Sequence, residues 1–260
     1  MAATQDEVTS ALAEYFRLGA QNRDWSAWAR LFTDDARYVE HCLGTFVGRD
    51  AIAAWIHEAM TPVECMTFSV EWTMVDGERV AFWIWNHLPD PSGEGLGYDF
   101  PNLSVLTYGG DGAWVAAEDF YNPAESANTV GDWLEAGGRP DMDPDHSLAP
   151  AAPSHPDPPE PVPDRAIMEA VCDALVSENW LDLIETGGAD WHDHGGVGIL
   201  RWAEGERIER YRVIDGSRAV IVFDQGGPAA IVAHVNAHGR VTYLDHVYNP
   251  RERSALTSTS

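Results

Sequence analysis

Residues 103–125, LSVLTYGGDGAWVAAEDFYNPAE, align without a gap on residues 230–252, AIVAHVNAHGRVTYLDHVYNPRE, with Tyr121 and Tyr248 at a constant offset of 127. Upstream, Val75-Asp76-Gly77 and Ile214-Asp215-Gly216 each introduce an apolar run. Earlier still, Tyr38-Val39-Glu40-His41 is matched by Trp191-His192-Asp193-His194. Three matches in one order predict two copies of a single plan, so whatever the first half folds into, the second must also approach. The paired acid and histidine mark where chemistry is sought.

The boundary between the copies is written in proline. Residues 137–163 hold nine of the chain's 16 prolines. Proline fixes φ and removes amide donors, so this stretch predicts an extended linker, with His146 and His155 solvated. The expected organisation is a first domain over 1–136 with a full pocket, the linker over 137–163, a shortened second domain over 164–252 and a disordered tail over 253–260.

In the first copy, Glu7–Ala20 carries Val8, Leu12, Tyr15, Phe16 and Leu18 near helical spacing. Asp24 reads as the N-cap of a second short helix with Trp28, Leu31 and Phe32 inward. Asp34-Asp35 closes that helix, and Arg37–His41 reads as a short strand. Gly48-Arg49-Asp50 opens a third helix with Ile52, Trp55, Ile56 and Met60 inward. Strands follow near Met66–Val75, Arg79–Leu88, Leu103–Tyr108 and Ala113–Tyr121, with turns at Asp76-Gly77 and Gly109–Gly112 making antiparallel hairpins. The second copy reads as helices over Asp164–Ser177 and Trp180–Glu185, a short strand Trp191–His194, and strands near Arg207–Ile214, Arg218–Asp224, Ala229–Asn236 and Arg240–Tyr248. Its third helix is replaced by Gly195–Gly198 and a brief segment to Gly205, and the loop matching Pro89–Pro101 shrinks to Gln225–Pro228. The fold class is therefore α+β: two cone-shaped domains, each of N-terminal helices on a curved antiparallel sheet.

Composition narrows the partners. With 42 acidic against 16 basic residues the formal net charge is −26. That field opposes nucleic acid and anionic membranes, both of which are held largely by Lys and Arg on phosphate. Cys42, Cys65 and Cys172 are odd in number and scattered, forming neither a disulfide framework nor a paired metal motif, which suits a reducing compartment. MAATQDEVTS has no basic region and no apolar core, and no apolar run is long enough to span a bilayer. A soluble, cytoplasmic protein is expected.

The helix pair in RDWSAWARLFTDDARYVEH, the helix opening GRDAIAAWI and the terminal EDFYNP give residues 5–125 a resemblance to the SnoaL-like branch of the nuclear transport factor 2-like superfamily. Residues 164–252 resemble it more faintly. The resemblance implies a deep apolar pocket between helices and concave sheet, in a superfamily of isomerases, dehydratases, epoxide hydrolases, polyketide cyclases and binding proteins. It also implies pairing of the two domains within the chain, or a homodimer. Tandem epoxide hydrolase-cyclases of polyether pathways resemble the duplicated architecture.

Glu40 stands where relatives similar to ketosteroid isomerase carry a catalytic carboxylate. In an apolar cavity it would lose hydration, and its pKa would rise into the range useful for proton transfer. His41 is adjacent, and neighbours on a strand face opposite ways, so one of the two faces the cavity. The same alternation turns either Glu118 or Asp119 inward as the partner that orients the proton-handling group. The resemblance places the isomerases' oxyanion-stabilising tyrosine on Phe16, with Tyr15 one position away. Trp28, Trp55, Trp83 and Trp85 suit a flat apolar ligand, with His87 and Asp99 near the cavity mouth. His192 and His194 form an HxH pair that could hold a metal with His246 or His234, but copy one has no counterpart, and no resident metal or cofactor is expected. The expectation is a cofactor-independent acid–base enzyme (cyclase, dehydratase, isomerase or epoxide-opening) acting on a small apolar metabolite, polycyclic ones included. The alternative is a non-catalytic ligand- or protein-binding module of the same fold.

Overall fold

Val8, Ala11, Leu12 and Tyr15, spaced three and four apart, are the buried stripe of helix α1, Gln5–Phe16. Its start is fixed by a capping box. The Thr4 hydroxyl accepts from the Glu7 amide at 3.3 Å, and the Glu7 carboxylate accepts from the Thr4 amide at 2.8 Å. The helix widens into a π-helical turn over Arg17–Gln21. There a Cβ on Gly19 would meet Trp28 Cδ1 at 2.8 Å, so glycine lets the indole lie against the backbone. Asp24 caps α2, Trp25–Ala29, by accepting from the Ala27 amide at 2.8 Å.

This computed structural model describes residues 3–95, 97–144, 155–177, 183, 190–192, 207–225 and 227–248. They fall into two compact units, one drawn from 1–119 and 124–153, the other from 120–123 and 154–260.

The first unit holds β1 (Phe32–Glu40), β2 (Gly44–Val47), α3 (Arg49–Met60), β3 (Thr67–Asp76), β4 (Arg79–Leu88), β5 (Tyr98–Gly110) and β6 (Ala113–Phe120). The sheet order is β2-β1-β6-β5-β4-β3, with β1 parallel to β6. The β1–β2, β3–β4 and β4–β5 pairs are antiparallel. Val80, Phe82, Leu106, Tyr108, Trp114 and Ala117 line the face beneath the helices and pack on Val8, Leu12, Tyr15, Trp28, Ile52 and Ile56. Each such side chain, taken from water to core, contributes about 1.5–3 kcal/mol.

The helices-then-sheet α+β plan is as read, with differences, the first being that strand β2, Gly44–Val47, was not foreseen. β1 starts at Phe32, so Asp34 and Asp35 lie within an irregular stretch of strand rather than ending a helix. Arg49 holds that stretch, donating to the Phe32 carbonyl at 2.7 Å and pairing with Asp34 at 3.0 Å. β5 begins at Tyr98, inside the segment read as loop. A further helix, α4 (Pro123–Glu135), was not foreseen. Trp133 anchors it, fully buried among Val63, Met66, Leu88 and Phe100, with its indole N–H on the Pro89 carbonyl at 2.9 Å. A Cβ on Gly138 would lie 2.2 Å from that ring.

The second unit places α5 (Arg165–Val176) on a five-stranded sheet of β7 (Asp190–His192), β8 (Ile208–Asp215), β9 (Arg218–Asp224), β10 (Pro228–Val235) and β11 (Val241–Tyr248). The order is β7-β11-β10-β9-β8, and β7 runs parallel to β11. Met168, Val171, Cys172 and Leu175 of α5 pack on Ile214, Ile221, Phe223, Ile231 and Leu244. The β3–β4 and β8–β9 hairpins turn on the same residues, Asp76-Gly77 before Arg79 and Asp215-Gly216 before Arg218. Their glycines have φ of 61° and 59°, the left-handed region that favours glycine.

His155 is not solvated as expected: it is buried, with Nε2 3.3 Å from Asp245 Oδ2. Pro159, in the same proline-rich stretch, accepts from the Ser217 hydroxyl at 2.7 Å. An extended strand-like segment has no core of its own, but it can lay side chains on a sheet. Linker residues 145–154, the second helix apart from Leu183, Asp193–Gly205 and the tail lie outside the described residues.

Candidate active site

Strand alternation turns Asp119 toward the helices and Glu118 away. Asp119 is buried and is the hub of a polar cluster in the aromatic interior of the first unit. Tyr38 donates to its Oδ2 at 2.6 Å. Ser104 donates to Oδ1 at 2.6 Å, and the Asn102 amide donates to the same oxygen at 3.2 Å. Burial raises the Asp119 pKa above the usual aspartate value, and these hydrogen bonds oppose the rise without cancelling it. Burial, then the nearby Asp119 charge, pushes the Tyr38 and Tyr15 phenols well above their ordinary range. The phenol that reaches this cluster is Tyr15, whereas Phe16 packs edge-on against Phe82 at 4.9 Å.

Among the polar atoms buried without a hydrogen-bond partner in this core are the Trp55 and Trp114 indole N–H groups and Asn102 Oδ1. Trp55 lies against Tyr38, ring centroids 4.6 Å apart, and stacks on Phe46 at 4.9 Å. Trp28 closes the other side, 5.2 Å from Tyr15. Buried donors and acceptors are nearly always paired, so an unmatched donor and acceptor beside a carboxyl–phenol pair fit a ligand bearing an oxygen and a proton to share.

Glu40 and His41 separate as alternation requires. Glu40 is buried on the same face as Tyr38, directly opposite Asp119 in the strand register. Its Oε2 accepts from the Cys42 amide at 3.0 Å and from the Leu43 amide, so this oxygen staples the turn into β2. His41 instead meets Glu118 at 2.8 Å, both side chains at most 8% exposed. Of the four candidate catalytic residues, the structure thus pairs His41 with Glu118 and brings Glu40 and Asp119 to the interior face.

Four residues expected at the cavity are not there. Phe82 and Ile84 pack beneath the helices, so Trp83, Trp85 and His87 alternate to the opposite face of the sheet, and Asp99 is paired with His87. On that face the Ser69 hydroxyl lies 2.6 Å from His87 Nε2, and His87 Nδ1 lies 2.8 Å from Asp99 Oδ1. Trp83 is wholly buried and stacks on Trp72 at 6.2 Å. Sequence reasoning missed Tyr38, Asn102, Ser104 and Ser69. The legible signal was Asn102-x-Ser104, two polar residues on one face of an otherwise apolar strand.

In the second unit His234 is fully buried and accepts from the Arg218 guanidinium at 2.9 Å. Burial, then that positive charge, pushes its pKa down to about 3. His192 of the HxH pair is exposed, and His194 lies outside the described residues. Among the described residues no group of three or more His, Cys, Asp or Glu is placed to hold a metal ion. No helix among them is long and apolar enough to cross a membrane.

Residues 12–117 match the SnoaL-like domain family. No curated protein matches the chain. Among solved structures it is similar to an NTF2-like protein of unknown function from Burkholderia pseudomallei (19% identity over 48% of this chain and 97% of that one, TM-score 0.41). It is also similar to an LEH-like epoxide hydrolase from M. tuberculosis (20% identity, 50% and 94%, TM-score 0.39). A third is a protein of ketosteroid isomerase-like fold from Catenulispora acidiphila, in complex with trimethylamine (19% identity, 55% and 100%, TM-score 0.38).

Proposed function

We propose, from the premise that residues 12–117 are a SnoaL-like domain, that the first unit is a cofactor-independent acid–base enzyme for a small apolar metabolite carrying a carbonyl, hydroxyl or epoxide oxygen. The observation that carries this is the buried Asp119–Tyr38 pair beside the unmatched Trp55 N–H. Asp119 with a raised pKa holds a proton at a pH where an exposed aspartate would not. When Asp119 is protonated it can donate to Tyr38, and Tyr38 is then free to donate to a substrate oxygen. Trp55 N–H is the second donor for that oxygen, and Asn102 Oδ1 accepts a hydroxyl proton. Glu40 is the second interior carboxylate and the candidate base. Proton transfer by a positioned group contributes typically 10²–10⁴-fold.

The second reading, a binding module, is favoured by one fact: Asp119 and one oxygen of Glu40 already accept hydrogen bonds from the protein. Titrating the full chain with a polycyclic ketone, an apolar epoxide and a polycyclic alcohol, followed by tryptophan fluorescence and product analysis, separates the two. Turnover by the wild type that falls at least about 100-fold in Asp119→Asn and Tyr38→Phe, with binding kept, supports the enzyme. Binding without turnover supports the module, and no binding removes both.

We also read the second unit as a shortened copy of the first. Support comes from its strand order, its parallel short strand and the shared Asp-Gly hairpin turn. In the two parallel pairs Val39 stands opposite Glu118 and His192 opposite Asp245, the register that the repeat in the sequence demands. The structure of the chain expressed without residues 1–136 tests this. A helix-backed sheet of the same order supports it, and an unrelated strand order sinks it.

A further inference from the structure

We propose that Ser69, His87 and Asp99 form a second centre, a nucleophilic serine relay that hydrolyses small apolar esters. It lies on the face of the first sheet opposite the Asp119 cluster. The three residues stand on β3, β4 and β5, and each is fixed by the strand register: His87 is opposite Asp99 on one side and Thr67 on the other, and Ser69 is opposite Trp85.

The order of hydrogen bonds sets the direction of proton flow. Asp99 Oδ1 is 2.8 Å from His87 Nδ1, and a carboxylate can only accept, so Nδ1 carries the proton. Nε2 is then the acceptor, and the Ser69 hydroxyl, 2.6 Å away, donates to it. The imidazole is 1% exposed while Ser69 is half-buried, so the base is held in place and the nucleophile keeps access to solvent. A Cβ on residue 97 would come within 3.0 Å of Asp99 Oδ2; Gly97 leaves the carboxylate its room. Nucleophile, base and orienting acid in this geometry define the arrangement whatever the fold.

The surroundings name the substrate. Trp85 lies directly across from Ser69, its indole N–H on Glu71 at 2.8 Å, and presents an aromatic wall to an acyl or aryl group. β3 is the edge of the sheet, and an edge strand turns part of its backbone amides away from the ladder, the donors an oxyanion here would take.

The chemistry balances without a cofactor. Ser69 Oγ bonds to the ester carbon as its proton passes to His87 Nε2. The bond to the leaving alcohol breaks, and His87 returns the proton to the alcohol oxygen. Water then attacks the acyl-serine, giving its proton to His87, which restores it to Ser69 as the acid leaves.

The test is to incubate the full chain with a fluorophosphonate and follow intact mass, peptide mapping and p-nitrophenyl butyrate hydrolysis. One phosphonyl adduct on Ser69, with hydrolysis lost in step, is expected. Ser69→Ala should take no adduct. Asp99→Asn, with an unchanged circular dichroism spectrum, should label at least roughly 100-fold more slowly, because the imidazole loses its tautomeric control. No adduct on the wild type, an adduct on another residue, or an unchanged rate in Asp99→Asn overturns the proposal. Mapping of the wild-type adduct decides even if a variant does not fold.

Discussion

At the offset of 127 that relates the two repeated segments, Asn102 corresponds to Ala229, Ser104 to Ile231 and Asp119 to His246. In the first unit Asn102 and Ser104 donate to Asp119 beneath the helices. In the second, Ala229 and Ile231 are core residues packed under α5. The second sheet has a matching strand order but lacks, at the corresponding positions, the donors that satisfy the buried carboxyl of the first. The difference teaches that the buried carboxyl and its donors go together: where Asn102 and Ser104 are replaced by Ala229 and Ile231, the carboxyl is replaced by His246. A carboxyl without its donors costs several kcal/mol, and apolar residues in the same places cost nothing.

The strongest way to break that contrast is Asp119→Ala. It leaves the buried Tyr38 and Ser104 hydroxyls without their acceptor, at about 1–3 kcal/mol each. A loss of about 3 kcal/mol or more in urea unfolding, together with abolished turnover, is expected. A loss below about 1 kcal/mol would show that the cluster is hydrated and the interior open. The converse change, Ile231→Ser, puts an unmatched hydroxyl in an apolar core and removes three carbons. About 2–4 kcal/mol is expected there, with no effect on the first unit's chemistry.

The two units should also answer pH in opposite senses. The Asp119 pKa is raised in the fold above its ordinary 3.8, so its neutral form is the favoured one. Its contribution is complete below that value and is lost as pH rises through the raised value. His234 is depressed from 6.5 to about 3. Its contribution is complete above 6.5 and is lost as pH falls toward 3. Hydrogen exchange of β6 and β10 peptides between pH 3 and 8 can separate these trends. Relative to Asp119→Asn, the wild type should lose protection in β6 as pH rises. Relative to His234→Gln, it should lose protection in β10 as pH falls. Parallel slopes in both pairs would remove the contrast.

Much of this scaffold was legible because periodicity reports burial. β4 and β9 have the bounds their apolar runs implied, and Asp24 caps α2 as its position suggested. α4 escaped because PAESANTVGDWLE carries few apolar residues, and a single tryptophan fixes it. His155 escaped because composition reports the lack of a core, not what a neighbouring sheet will accept. The site was half legible: alternation said one of Glu118 and Asp119 turns inward, but not which. Trp83, Trp85, His87 and Asp99 went to the wrong face because the parity of β4 depends on register, which local sequence does not carry.

The smallest effect concerns the two helices that back the sheets. α1 begins at Thr4, whose hydroxyl and amide both bond within the capping box. α5 begins at Asp164, whose side chain makes no capping hydrogen bond. Residue preference alone would rate aspartate at least as good a cap as threonine, but a cap acts through the bond it makes to an orphan amide. Thr4→Ala should therefore cost about 1 kcal/mol. Asp164→Ala should cost less than about 0.5 kcal/mol, retaining only the loss of a negative charge near a helix N-terminus. Thermal unfolding of the two variants side by side measures the difference. Equal losses would mean that charge on the helix dipole, rather than the hydrogen bond, sets the strength of both starts.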